Sequence, residues 1–256
     1  VHPVERLRYL ALSRDADTTS LVAEVVRGLA DLADDPRAIA MGARRLLEAQ
    51  PDCGPLWWAA SRMLAAIDVR EERIAILDAL SDDSTADELA AAFPSSSVVV
   101  ASAGEAVLMS LLVRPDLEGR LVGDSWSISR VLRHFDAGAE VSAWVVDEVV
   151  DAVAGATVCC VEGLAAASSG VLLGEVDASL VAAATRAGVP VWLVAGAGRV
   201  LPAPLFDALV RRVGLTGHAN VVEPATFAVV VGPDGALPGS VGLSRSDCPV
   251  AYELTR

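Results

Sequence analysis

Three turns in the second half of the chain carry residue types that suit an anionic ligand. Ser102-Ala103-Gly104 follows the run Val98-Val99-Val100-Ala101 and precedes an apolar stretch with helical spacing. Its hydroxyl and backbone N–H groups are expected either to cap that helix or to hold a phosphate at the positive end of the helix dipole. Asp124-Ser125-Trp126-Ser127 repeats the pattern, with Ser125 or Ser127 as the cap and Trp126 as a cover. In Gly196-Ala197-Gly198-Arg199 the glycines permit close backbone approach, and a guanidinium follows whose planar fork suits phosphate. Beside each of these stands a plainer reading: a helix cap, a tight turn, a solvated arginine. Glu162, Asp124 and Glu105 are the carboxylates placed at strand ends, so any acid–base chemistry would fall to them.

Other chemistry is excluded by what the sequence lacks. There is no Walker loop and no dinucleotide glycine fingerprint. His2, His134 and His218 have no neighbours that would complete a metal site or a nucleophile pair, so no metal and no cofactor is expected. Cys53, Cys159, Cys160 and Cys248 lack metal-ligand spacing, and the adjacent pair lies in an apolar run that reads as a buried strand. The net charge is −14 and all 20 basic residues are Arg, without a basic cluster, which argues against direct nucleic-acid binding. Hydrophobic residues make up 53% of the chain, but no apolar run reaches the ~20 residues of a membrane span. The start, Val1-His2-Pro3-Val4-Glu5, has no leader pattern, and a cytoplasmic location is expected.

The elements that must position these turns divide the 256 residues in two. From Val4 to about Ala92 apolar residues recur at three- and four-residue spacing, as in Leu21, Val25, Leu29 and Leu32, which predicts four or five helices. Asp34-Asp35-Pro36, Gln50–Pro55 and Ser81–Ser84 punctuate them, the last two offering cap residues. Trp57 and Trp58 open the third long helix as core or interface residues. After Pro94-Ser95-Ser96-Ser97 the period changes. Strands are predicted at Val98–Ala101, Arg120–Gly123, Glu140–Val146, Thr157–Val161 and, last, Val189–Val194, with helices between them, including Ile128–Phe135 and Asp147–Ala154. That alternation predicts a parallel sheet covered on both faces, with ligands at the carboxyl ends of its strands. The expected division is a helical portion over 1–93 and an α/β portion over 94–256.

The same order of elements resembles the family of methylthioribose-1-phosphate isomerase, ribose-1,5-bisphosphate isomerase and the alpha, beta and delta subunits of initiation factor 2B. Val158–Leu172 is similar to the family's strand that ends in Gly-Ala-Asp and runs through small residues to Asn-Gly. Ala187-Gly188-Val189-Pro190-Val191-Trp192 is similar to its Gly-Val-Pro-Val strand, Asp247–Ala251 to an ending of bacterial relatives, and Leu46–Pro51 to a helix-ending turn. The resemblance covers nearly the whole chain as order rather than as exact motifs. It implies an N-terminal helical bundle followed by a Rossmann-like parallel-sheet domain, and a homodimer paired through that domain.

The departures carry the functional argument. Counting back from Ser169-Gly170, the family's catalytic Asp falls on Leu164, which cannot exchange a proton. Ser102-Ala103-Gly104 stands where the isomerases place a reactive Cys, and Leu173-Gly174-Glu175 replaces an Asn-Lys motif. Two functions follow. One is a non-catalytic initiation-factor-2B-subunit-like protein, a pseudoenzyme that binds a sugar phosphate or nucleotide, or neither, and acts through contacts with a protein partner. The alternative is an aldose–ketose isomerase of a phosphorylated pentose with relocated groups, Glu162 standing in for the acid. The residues expected to line a pocket are Ser102, Gly104, Ser125, Ser127, Glu162, Gly196 and Arg199.

Overall fold

The computed structural model describes residues 17–123, 140–215 and 220–256. The turn at Asp124–Ser127, the helix expected over Ile128–Phe135 and all three histidines lie outside that set.

Five helices open the described chain: α1 (Thr18–Ala30), α2 (Pro36–Ala49), α3 (Gly54–Ala65), α4 (Val69–Ser81) and α5 (Thr85–Ala92). Asp17, Asp35 and Asp68 cap α1, α2 and α4 by accepting first-turn N–H groups on their side chains, each such cap contributing about 1 kcal/mol. The Gln50–Pro55 turn supplies no such bond, because its N-cap is Cys53; the N–H of Gly54 instead donates to the carbonyl of Leu164 at 3.1 Å. Trp57 and Trp58 are both fully buried. Their indole N–H groups donate to the Pro51 carbonyl and to Asp247.

The sheet that follows has seven strands. β1 (Val98–Ser102) leads through α6 (Glu105–Leu112) to β2 (Glu118–Gly123), and β3 (Val141–Val145) leads through a 3-10 turn and α7 (Val149–Val153) to β4 (Val158–Glu162). After β4 come β5 (Ala165–Ala167), β6 (Gly170–Leu173), α8 (Glu175–Ala187) and β7 (Val191–Val194). Then follow α9 (Ala203–Gly214), β8 (Asn220–Val222), β9 (Phe227–Gly232), β10 (Gly235–Pro238) and two short helices, α10 (Gly239–Gly242) and α11 (Tyr252–Thr255).

The order across the sheet is β10-β9-β7-β4-β1-β2-β3, parallel except for β10. Numbered by chain order, the six parallel strands run 3-2-1-4-5-6, the doubly wound arrangement, with its switch point between β1 and β4. β5, β6 and β8 form a separate antiparallel sheet.

Val189–Val194 is therefore not the last strand. Phe227–Gly232 adds a sixth parallel strand beside β7, and its unbroken apolar run is what a strand covered on both faces requires.

Period-two alternation sends neighbouring residues to opposite faces of the sheet. Val99, Ala101, Val158 and Cys160 pack with Leu89 of α5, with Phe93 just past its end, and with Val107 and Leu111 of α6. Val100, Cys159 and Val161 pack on the other face with Ala152, Val153, Leu180 and Ala184 of α7 and α8. A third cluster joins α1–α4 to Leu205, Phe206 and Leu209 of α9 and to the small sheet. Among the described residues, no helix is long and apolar enough to cross a membrane.

Candidate functional site

Pleat parity decides what reaches the switch point. Cys160 faces α5 and α6, so Glu162, two residues on, points the same way. Ala101 pairs with Cys160, which sets Glu162 beside the turn that opens α6. There its Oε1 accepts the N–H groups of Ala106 at 3.0 Å and Val107 at 3.3 Å. The chain's own carboxylate thus sits at the helix N-terminus, where the dipole favours an anion.

Gly104 makes the fit possible, since a Cβ there would lie 2.2 Å from the Cδ and Oε1 of Glu162. Arg199 backs the arrangement: its guanidinium donates to the Gly163 carbonyl at 2.6 Å and stands 3.9 Å from Glu162 Oε2. It is not a solvated surface arginine, for only 21% of its side chain is exposed.

Ser102 does not cap α6. Val100 faces α7 and α8, and Ser102 follows the same parity. Its hydroxyl donates to Oδ1 of Asp177, in the first turn of α8, at 2.6 Å. The same oxygen accepts the backbone N–H of Glu162 at 3.3 Å. Burial, and then the nearby Glu162 carboxylate, push the Asp177 carboxyl up to about 6, while the bonds from Ser102 and Glu162 N–H and the charge of Arg199 pull it back.

In front of this cluster lies a cleft of about 610 Å³, between the carboxyl ends of β4 and β7 and the helical portion. Its lining includes Asp17, Asp83, Asp87, Glu105 and Glu162, and among the described residues Arg199 is its one cation. Asp83 accepts the N–H groups of Thr85 at the start of α5 and of Ala197 at 2.8 Å, and its Oδ2 lies 2.6 Å from where a Cβ on Gly196 would stand. Asp17 does the same for Ser20 at the start of α1, and the Ser20 hydroxyl and then its N–H hold the Asp17 carboxyl below the usual range. Three helix N-termini converge on the cleft, and each is occupied by a carboxylate of the chain.

Of the residues singled out from sequence, Glu162, Gly196 and Arg199 line the cleft, with Gly104 under Glu162 and Ser102 behind it, tied to Asp177. Ser125 and Ser127 lie outside the described residues. Glu105 is exposed at the start of α6 and lines the cleft. Leu164, where the resemblance placed an acid, packs against the core of the helical portion.

Asp177 was missed by sequence reasoning, and Asp83 was read only as part of the Ser81–Ser84 cap turn, a role it fills at α5, not as a lining residue of the cleft. Asp177 sits two residues after the replaced Asn-Lys position, in a first turn that had the only available signal, the acidic pair Glu175 and Asp177.

Burial pushes the Cys159 thiol up to about 12 and Cys160 well above its ordinary value, so neither is a poised nucleophile. Among the described residues, no three His, Cys, Asp or Glu side chains are placed to hold a metal ion.

No family model and no curated protein matches the chain by sequence. Solved structures do match its fold. The Pyrococcus horikoshii OT3 translation initiation factor eIF-2B superposes with a TM-score of 0.74 at 11% identity, over 94% of this chain and 98% of that one. The tetrameric eIF2B-beta2-delta2 complex from Chaetomium thermophilum gives 0.73 at 14% identity, over 98% and 92%. The 5-methylthioribose 1-phosphate isomerase from Pyrococcus horikoshii OT3 gives 0.60 at 12%, over 92% and 84%. The chain shares the fold of initiation factor 2B subunits and of a sugar-phosphate isomerase, as its sequence had indicated.

Proposed function

We propose that this chain is a non-catalytic, initiation-factor-2B-subunit-like protein that works through protein contacts in the cytoplasm and does not turn over a sugar phosphate. The observation that carries this is the Glu162 carboxylate on the N–H groups of Ala106 and Val107. In a doubly wound sheet the switch point is where a ligand's anionic group sits, and here that corner is filled from within. The surrounding charge agrees, since among the described residues a phosphate entering the cleft meets five carboxylates and one guanidinium.

The isomerase alternative needs a titratable pair facing the substrate. Glu162 is engaged with α6, and Asp177, whose carboxyl is shifted towards neutrality, is not among the residues lining the cleft.

Self-pairing through the α/β portion is part of the proposal. It is supported by the oligomeric character of the fold neighbour from Chaetomium thermophilum. The exposed Val145, Val146 and Val150 beside β3 also support it, as does the edge position of that strand among the described residues.

A thermal-shift screen against pentose phosphates, methylthioribose 1-phosphate and nucleoside monophosphates tests the first part, because a ligand of the native state must raise Tm. No shift is expected at millimolar concentrations. A saturable shift with one sugar phosphate, followed by its isomerisation, would sink the proposal. Light scattering on the eluting protein should give twice the 26.5-kDa chain mass.

A further inference from the structure

Helix α6 buries one face and leaves the other uncovered. Val107 and Leu111 pack into the sheet cluster. Glu105, Met109 and Val113, spaced four apart, share the opposite face. Met109 is 51% exposed and Val113 60%, and all three residues line the cleft together with Pro55 of α3 and Leu80 of α4. The same cleft sets acids beside this apolar wall. The carboxylates of Asp87 and Glu105 are exposed and, among the described residues, take no hydrogen bond or ion pair. Glu162 commits only Oε1 to α6, leaving Oε2 at 3.9 Å from Arg199. Arg199 offers little charge to an incoming ligand, because it is largely buried and already bonded to the Gly163 carbonyl.

We propose that this cleft is a docking groove for a short segment of a partner protein in which apolar side chains are flanked by arginine or lysine. The inference rests on the reading that the protein works through protein contacts, and it names the surface and the chemistry of the partner. The apolar side chains cover Met109 and Val113, and the cations meet Asp87, Glu105 and the outer oxygen of Glu162. Charge selects among occupants: a nucleic acid or an anionic membrane brings the wrong sign, and a second copy of a chain with net charge −14 carries no excess of the cations the groove calls for. Size agrees, since about 610 Å³ falls within the roughly 300–1,000 Å³ of clefts that enclose drug-sized ligands, room for a few side chains and not for a folded domain. The groove shares no residue with the apolar edge at Val145, Val146 and Val150, so self-pairing there does not use it.

The test titrates the whole chain into a dye-labelled, capped Arg-Leu-Leu-Arg peptide, read by fluorescence anisotropy at low and high salt. That peptide should bind about tenfold or more tighter than the same peptide with Glu for Arg or with Gly for Leu, and binding should weaken as salt rises. Met109→Ser, at an exposed position, should weaken it about five- to tenfold. Glu105→Gln and Asp87→Asn should weaken it about two- to fivefold each, all three with Tm unchanged. No binding of the Arg-Leu-Leu-Arg peptide at millimolar concentration, equal binding of either control, or an affinity indifferent to all three variants would each overturn the groove. So would spermidine competing as well as the unlabelled peptide, which would assign the cleft to small polycations, or a doubled mass that Met109→Ser abolishes, which would assign it to a second copy. A sugar phosphate that binds and is isomerised sinks the non-catalytic reading itself; silence from phosphates and peptides alike leaves that reading standing and removes only the groove.

Discussion

Replacing Glu162 by alanine removes the anion from the N-terminus of α6 and leaves the rest of the crevice standing. Two N–H groups, on Ala106 and Val107, lose an acceptor held at 3.0 and 3.3 Å. Hydrogen bonds to a charged acceptor are worth about 1.5–3 kcal/mol each, but the cleft admits water, which recovers part of that. The expected loss is about 2–3 kcal/mol, or about 5–10 °C in Tm for a chain of this size. Arg199, at 3.9 Å from Glu162 Oε2, adds little to that loss. The vacated corner then presents two free N–H donors at a helix dipole with a guanidinium nearby, a place where inorganic phosphate can seat. Thermal denaturation followed by circular dichroism, with and without phosphate, reads both effects. Phosphate at about ten times its Kd should restore about 1.4 kcal/mol to Glu162→Ala and nothing to the unaltered protein. A variant as stable as the parent and indifferent to phosphate would refute the claim that Glu162 fills an anion position.

Three further expectations follow from the same geometry. Gly104→Ala puts a Cβ 2.2 Å from the Glu162 carboxyl and must expel it; the double variant with Glu162→Ala should therefore cost less than the two single losses combined, a non-additivity that urea titration measures. Asp177→Asn should change the pH dependence of stability. With the folded carboxyl at about 6 against 3.8 unfolded, the native state binds more protons between those values, so the parent loses up to about 3 kcal/mol through this group as pH rises across the window. The variant should match the parent near pH 4 and exceed it by up to that amount at pH 7.5; equal denaturation profiles at both pH values would contradict the assigned burial. Leu164→Asp, which restores an acid at the aligned position, should destabilise by about 2–4 kcal/mol, because a carboxylate would replace a side chain packed on the helical core. It should confer no isomerase activity in a coupled assay.

What the sequence made legible was set by local signals. Val98-Val99-Val100, a β-branched run followed by small residues and an apolar helix, could be read as strand, turn and helix without knowing its neighbours, and it forms β1 and α6. The helices between Thr18 and Ala92 were equally legible from apolar spacing, whereas their caps at Asp17, Asp35 and Asp68 were not singled out; the spacing read from Val4 to Ala16 lies outside the described residues. Phe227–Gly232 had the run of a buried strand, flanked by Pro224 and by the Pro233-Asp234-Gly235 turn, and escaped only because no helix pattern followed it. The candidate site was legible as positions but not as roles. Ser102 read as a cap because it precedes a helix, yet the pleat turns it to the opposite face of the sheet. Glu162 becomes the cap instead, across 56 positions of sequence, through the register of β1 on β4, which no local pattern records.

That exchange of roles also explains why the crevice looks inviting in sequence, while in the structure its helix N-termini are occupied from within. The residues that suggested a phosphate site, a small turn with Gly104 and a helix start, are the ones an internal carboxylate requires. Asp83 uses the second such place, at α5 and the Gly196-Ala197 turn, and Asp17 the third, at α1. Each satisfies donors that a helix start leaves open, and each puts a negative charge where a phosphorylated ligand would need to go. A fold that offers three anion-binding positions at one cleft, and fills all three from its own chain, has its polar groups satisfied without a ligand. On the proposed reading its stability should be independent of small anions, and contacts with other proteins would run through exposed apolar residues such as Val145, Val146 and Val150.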